Sequence, residues 1–433
     1  MRKIKAFIVL VLMVMVSATS FSQKTTNSPY SKYGIGIIRP QTFSQNFAMG
    51  GTAIGIRSDK DIGFLNPASY SAIAVTTFDV GFTNNALWLD DGTQSQYENN
   101  PHITHLAFGF PVIKKTWGMS FGVMPYANTG YEYDEILDDP YAGLVSFYNK
   151  GDGAINKVYW GNGLALKIDS TSNVSVGFNG YFLFGSITHD QKAIYGDLPN
   201  GFNLWRLKEF SAADFGADLG LQYQKTFTNA DDDKIKLTLG ATYGLSADVK
   251  GKNTEVIRTF TGNIDFGTIK DTVEFIDDVD EVIQLPSELG FGFSIEKDRK
   301  WLIAADFKSA DWGSIASTDP LYSYQSNYKI SLGGQIIPRY DGSKYIQRVA
   351  YRLGVRYTTP YLTINNTDFT EYGITFGVGM PVRRNESTYP RLNLGIEYGS
   401  RGTTDNGLIK ENFINFNLGI TINAIWFQKR KYD

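Results

Sequence analysis

The first residues to weigh are those that could make or break a bond. Gly118-Met119-Ser120-Phe121-Gly122 fits the G-x-S-x-G pattern, in which a serine nucleophile sits on a sharp turn between a strand and a helix. Here Met119 and Phe121 alternate with small residues as they would within a strand, so the turn that exposes such a serine is missing. His102, His105 and His189 are the only histidines. A spacing of three on a strand sends the first two to opposite faces, which argues against a shared metal and against a serine–histidine pair. Two acidic runs, Asp231-Asp232-Asp233 and Asp277-Asp278-Val279-Asp280-Glu281, carry the oxygen ligands that calcium takes. Their composition is equally that of solvated loops, and this reading is preferred. No catalysis, metal or cofactor is expected, and a net charge of −3 offers nothing to nucleic acid.

Other charges fall into a pattern. Val349, Tyr351, Leu353, Val355 and Tyr357 alternate with Arg352, Gly354, Arg356 and Thr358; Leu392, Leu394, Ile396 and Tyr398 alternate with Asn393, Gly395 and Glu397. From Ile235 to Leu245 the oily residues oppose Lys236, Thr238, Gly240, Thr242 and Gly244, and the last stretch sets Phe416, Leu418, Ile420, Ile422 and Trp426 against Asn415, Asn417, Gly419, Thr421 and Asn423. This period of two marks strands with one apolar face and one polar or small face. Runs of this type lie near 76–86, 103–112, 116–126, 157–168, 173–187, 211–226, 234–249, 285–296, 300–308, 326–338, 346–359, 371–381, 389–400 and 411–427, fourteen in all. The links after even-numbered runs are short, and those at 127–156, 188–210 and 250–284 are long. An even strand count with short turns at one end and long loops at the other is the signature of a bacterial outer-membrane β-barrel. The expected fold is therefore an all-β, 14-stranded antiparallel transmembrane barrel.

In that barrel Asp214, Asp218, Lys236, Arg352, Arg356 and Glu397 point into the lumen, because a charge facing lipid at mid-membrane costs about 2–4 kcal/mol. They are expected to pair with one another or with Arg57, Asp59, Lys60 and Asp61; selecting what passes is the sharper alternative. Trp117, Trp301 and Trp426 are expected at the periplasmic strand ends, and Trp88, Trp160, Trp205 and Trp312 at or beyond the external ends, as aromatic girdles. The segment 250–284 is expected to form a hairpin above the membrane, with two additional barrel strands as the alternative.

The chain begins with Arg2, Lys3 and Lys5, an apolar run from Ala6 to Val16, and small residues at Ser20 and Ser22. This is the pattern of a signal peptide spanning 1–22 and cleaved before Gln23. No cysteine is present, so acylation and disulfides play no part. Residues 23–74 lack a period, yet they hold Phe43, Phe47, Met49, Ile54, Ile56, Phe64, Leu65 and Tyr70. So much apolar surface must be buried, and a lumen of fourteen strands is too wide for its own side chains to fill. An N-terminal plug within a barrel of residues 75–433 satisfies both conditions.

The stretch "AMGGTAIGIRSDKDIGFLNPASYS", with Gly50, Gly51 and the triplet Asn66-Pro67-Ala68, resembles the hatch of the FadL-type family of long-chain fatty-acid transporters. "NSPYSKYGIG" and the closing "WFQKRKYD" are similar to the ends of its PorV-like relatives in Bacteroidota. The resemblance implies a luminal hatch, a Gram-negative outer membrane with its lipid around the wall, and passage of hydrophobic or amphipathic small molecules. Some PorV-like relatives instead act as accessory subunits of larger outer-membrane secretion or assembly machinery, which makes other outer-membrane proteins the alternative partners. The family's ligand-pocket residues do not map onto this chain one by one.

Overall fold

In a computed structural model of the chain, the described residues are 26–196, 201–228, 233–264, 267–317, 320–382 and 388–426. The expected signal peptide, Asp231, Asp232 and nearly all of "WFQKRKYD" lie outside them. Sixteen long strands follow one another: β1 (Thr76–Asp90), β2 (Ser95–Ile113), β3 (Trp117–Asp139), β4 (Gly143–Lys167), β5 (Ser172–Tyr195), β6 (Asn203–Thr228), β7 (Lys234–Gly244), β8 (Ala247–Thr261), β9 (Thr268–Leu285), β10 (Glu288–Lys297), β11 (Trp301–Ala310), β12 (Asn327–Ile336), β13 (Ala350–Thr358), β14 (Glu371–Pro381), β15 (Thr388–Arg401) and β16 (Lys410–Ala424).

Fourteen of these form a closed antiparallel ring. β1 to β7 pair in sequence, β7 pairs with β10, β10 to β16 pair in sequence, and β16 returns to β1 through Gly419 opposite Gly81. β8 and β9 stay out of the wall. β8 pairs with the distal part of β6, from Ala212 opposite Gly251 to Asn203 opposite Phe260, and β9 pairs with β8. The 250–284 segment is thus a hairpin above a 14-stranded wall, not two further staves.

The outer face is the oily parity. Leu353, Val355, Ile374, Phe376, Leu394, Ile396, Phe416 and Leu418 are 38–59% exposed, while Ser175, Asn179, Gln222, Thr375 and Thr421 on the opposite parity are 0–1% exposed. A barrel in lipid requires this inversion of the usual inside and outside.

Two expectations are corrected. The stretches 127–156 and 188–210 are not loops over most of their length: β3, β4, β5 and β6 run 23 to 26 residues. About 9–11 residues cross a membrane, so these strands continue well beyond it as a ridge with β8 and β9. Alternation fails there because both faces of the ridge meet water or the ridge's own interior. The tryptophan girdle is also partial. Trp88, Trp117 and Trp426 are 37–52% exposed near strand ends, and Trp301 opens β11. Trp312, however, is buried and stacks near Tyr361, with ring centroids 4.6 Å apart. Trp205 lies in the ridge, donating to Asp190 at 2.8 Å, and Trp160 faces outward within β4, against Phe178.

Candidate functional site: a filled lumen

Residues 26–75 occupy the inside of the barrel. The local sequence dictates how. Gly50 and Gly51 hold φ of 67° and 83°, left-handed backbone that only glycine adopts without penalty, and they reverse the chain after the one-turn helix Ser44–Phe47. Asn66, held extended by the following proline, caps the 3₁₀ turn Pro67–Ala72 by accepting from the Ala68 amide at 3.2 Å. The Asn66 Nδ2 then donates to Ile54 O at 3.0 Å within the segment and to Leu221 O at 3.1 Å in the wall.

The wall meets this segment with glycines. A Cβ on Gly118, Gly163 or Gly177 would overlap the backbone of Tyr70 or Pro67, and one on Gly240 or Gly292 the backbone of Ile54 or Gly55. One on Gly333 or Gly354 would overlap Met49 and Gly50, and at Gly220, Gly377, Gly395 and Gly419 the obstacles are side chains of Asn66, Ala48, Phe47 and Ser44. Many of these glycines face one another across the ladder: Gly118 with Gly163, Gly163 with Gly177, Gly177 with Gly220, Gly240 with Gly292, Gly333 with Gly354, and Gly377 with Gly395. They form a belt without side chains. The three remaining strands touch the segment by other means. Gly109 in β2 lies against Ile62, the Thr77 hydroxyl in β1 donates to Lys60 O at 3.0 Å, and Asp306 in β11 accepts from the amides of Ala53 and Ile54 at 2.6 and 2.9 Å. Every one of the fourteen staves contacts the N-terminal segment.

The charges divide into groups. Arg356 bridges Glu371 and Glu397 at 2.5 Å each; Arg401 reaches Glu371 at 2.5 Å and Glu411 at 3.4 Å, and Glu411 also accepts from Ser28. Arg356 and Glu397 thus pair with one another. Arg352 is buried but donates to neutral partners, Gln335 at 2.8 Å and Asn393 at 2.9 Å. Asp218 lines the interior cavity, and Lys236 sits at the short-turn mouth with Asp298 at 3.1 Å.

Asp214 departs from expectation. It accepts from the amides of Phe215 and Lys250 at 2.7 and 2.9 Å on the exposed side, where β6 leaves β7 at Asp218 opposite Gly244 and takes up β8 at Ala212 opposite Gly251. It closes a gap in the ladder and is not a luminal charge.

Of the charges expected to hold the segment, Asp61 does so, through an ion pair with Arg391. Arg57 instead donates to Ser175 at 2.6 Å and Ser71 at 2.8 Å, and burial lowers its guanidinium to about 10, still charged at neutral pH. The Lys60 ammonium meets Tyr340, donating to its hydroxyl at 3.5 Å and standing 5.8 Å from the ring centroid. Sequence reasoning passed over Asp306, Glu371, Arg391, Arg401 and Glu411. The signal for them was present: each lies on the polar parity of its strand.

Between the segment and the wall lies a cavity of about 320 Å³ lined by Arg39, Lys157, Asp218, Glu288, Lys308 and Lys329 among others. Lys308 pairs with Glu288, and the Lys157 ammonium stands 4.0 Å from the Tyr181 ring centroid. The same lining includes Ile38, Phe64, Leu65, Tyr126, Trp312 and Phe369, so charged and apolar surfaces share the cavity. Ser120 lies within β3, sharing a hydrogen bond of 2.9 Å with the Tyr159 hydroxyl. His105 bonds Asp79 at 2.7 Å and stacks on Phe43 at 4.0 Å. His102 lines the same interior, because a bulge at Thr104, between Gly81–His105 and Phe82–Ile103, cancels the parity change expected between the two histidines. Among the described residues no three His, Cys, Asp or Glu side chains converge as metal ligands.

The arrangement has solved counterparts. The toluene transporter TodX of P. putida shares 17% identity, with 92% of this chain and 100% of that chain covered and a TM-score of 0.56. The CymD monoaromatic hydrocarbon channel shares 13%, with 89% and 98% covered and a TM-score of 0.56; a Pseudomonas aeruginosa FadL homologue shares 10%, with 90% and 100% covered and a TM-score of 0.54. At such identities the likeness is one of fold. With the closed ring and its lipid-facing parity, it defines the chain as a 14-stranded transmembrane β-barrel of FadL-like architecture. No curated protein matches the sequence. The BamG family profile matches residues 3–433, and the chain belongs to that family.

Proposed function

We propose that this protein is a plugged outer-membrane barrel, with residues 23–74 as the plug, serving as a PorV-like accessory subunit of a larger outer-membrane secretion or assembly complex. One observation carries the reading: the plug rests by its backbone on wall glycines. Moving it would expose backbone polar groups and break the Asp61–Arg391 and Asp306 contacts together. Buried polar groups left without partners cost about 1–3 kcal/mol each, so the plug is a built-in part rather than a door. The tall ridge of β3 to β6 with β8 and β9 offers another protein a large surface outside the cell.

A second reading is favoured by the fold it shares with hydrocarbon channels: a hydrophobic or amphipathic small molecule enters among external aromatics and passes a movable hatch. Gly50, Gly51, Asn66, Pro67 and Ala68 would then be gating residues. Two measurements separate the readings. Under the accessory reading, deleting the whole protein leaves small-molecule uptake by whole cells unchanged, and isolation in mild detergent brings down a stoichiometric partner. Uptake that changes with the deletion, with lipid-like density in the purified lumen and no partner, would establish transport instead.

A further inference from the structure

The ridge ends in a strand with one side open. β9 pairs with β8 from Thr268 opposite Thr261 to Leu285 opposite Ala247 and forms no second ladder among the described residues. Its second edge therefore presents a row of free amides and carbonyls. Proteins usually blunt such an edge with proline, lysine or a covering element. Here there is no proline and a single lysine, Lys270, and large apolar side chains stand out on the strand: Val273, Phe275, Val279 and Val282 are 51–62% exposed. The edge is blunted only by bulges, the last falling between Ile276 and Val279, where Asp278 takes a φ of 53°. From Val279 to Leu285 the pairing is unbroken over seven residues, enough for an ordinary strand.

The strand is also acidic. Asp271, Glu274, Asp277, Asp278, Asp280 and Glu281 face one lysine, whereas the whole protein carries a net −3. Lys252 pairs with Asp278 and Asp280 at 3.6 and 2.9 Å, and Lys208 with Glu281 at 3.6 Å. Asp271, Glu274 and Asp277 have no such cation among the described residues. A second copy of this edge would set carboxylate against carboxylate, and directly opposed like charges destabilise a ladder.

We propose that the β9 edge is a docking site for a basic, extended segment of another exported protein. That segment adds a strand along Val279–Leu285, placing apolar residues beside Val279 and Ile283, which share a face, and lysine or arginine near Asp271, Glu274 and Asp277. Main-chain bonds supply affinity and the flanking charges supply specificity. The inference rests on the accessory reading and names the chemistry of its partner.

The probe is a 12-residue synthetic peptide alternating lysine with valine or threonine, added to the full-length protein in detergent. The expected result is micromolar binding with slowed amide hydrogen exchange over Val279–Leu285. Replacing Glu274→Lys with Asp277→Lys weakens it at least tenfold, while Asp138→Lys with Asp139→Lys, at the tip of the β3–β4 hairpin, leaves it unchanged. Heat-modifiable gel migration confirms that both variants fold. No binding, or equal weakening in both variants without amide protection, overturns the proposal. So does a dimer of the protein alone that protects the same amides. Failure of the accessory reading is seen separately, as small-molecule uptake that is lost when the whole protein is deleted, and leaves the peptide measurement standing.

Discussion

Asn66 in the plug and Gly220 in β6 are fitted face to face. The Asn66 Oδ1 fills the space a Cβ on Gly220 would need, while its Nδ2 donates to the neighbouring Leu221 carbonyl at 3.1 Å. Asn66→Ala removes this bond, the bond to Ile54 O and the cap on Ala68, and is expected to cost about 2–3 kcal/mol. Denaturant titration of the detergent-solubilised protein measures the loss; a cost within 0.5 kcal/mol would mean the plug does not sit as described.

Gly354 and Val355 are adjacent, yet they fail for different reasons when replaced. Gly354→Ala drives a methyl into the backbone of Met49 and Gly50 and is expected to destabilise by about 1–3 kcal/mol. Val355→Arg puts a charge against lipid, at about 2–4 kcal/mol. Gly180→Ala is the control, since its Cβ would meet only ordinary contacts at 3.9 Å or more. In a barrel lacking the plug, Gly354→Ala becomes neutral while Val355→Arg does not.

The Asp61–Arg391 pair ties the plug to β15, with both side chains about one-fifth exposed. Asp61→Asn is expected to cost about 1–2 kcal/mol, because the guanidinium stays partly buried without its counterion. In a double-mutant cycle with Arg391→Gln the two changes are not additive. Strict additivity would show that the pair does not form.

Asp306 accepts from two successive plug amides, Ala53 and Ile54. Asp306→Ala leaves both without an acceptor and is expected to speed hydrogen exchange at those two amides at least tenfold. Exchange at the β7–β10 junction should be unaffected. If the Ala53 and Ile54 rates stay as they were, these bonds do not hold the plug.

Asp169, in the short turn between β4 and β5, accepts from the amides and hydroxyl of Thr171 and from Ser172. These bonds hold its carboxyl at about 2. The folded value lies below the ordinary carboxylate range, so its contribution is complete above that range and fades as pH falls through about 2. A carboxyl ¹³C titration should show a midpoint near 2, moving upward in Thr171→Ala; a midpoint near 4 in the unmodified protein contradicts the turn geometry.

The barrel was legible because lipid enforces a strict parity. Leu353 and Val355 face outward and Arg352 and Arg356 inward, with no exception to blur the period. The burial of the N-terminal apolar residues was legible by remainder: Phe43, Phe64 and Tyr70 had no place on the wall, and all three are buried. What escaped were features set by three-dimensional pairing. The height of β3 to β6 was hidden because parity stops carrying information outside the membrane. The shared inward direction of His102 and His105 depends on one unpaired residue, Thr104, which alternation cannot reveal. Asp214 has the parity of a luminal charge but lies where β6 changes partners. Arg391 was visible as a charge on the polar face, though nothing in one dimension couples it to Asp61.

The glycine belt bears on the order of events during folding. A cylinder whose glycines leave no room for a Cβ beside the filling leaves no slack to admit that segment ready-folded once the ring is closed. The last ladder to form, β16 on β1, joins the most distant staves in sequence and so has the largest loop to close. Ser44 already stands in the space above Gly419 at that seam. The girth of the N-terminal segment and the circumference at which the last stave meets the first are thus matched to each other.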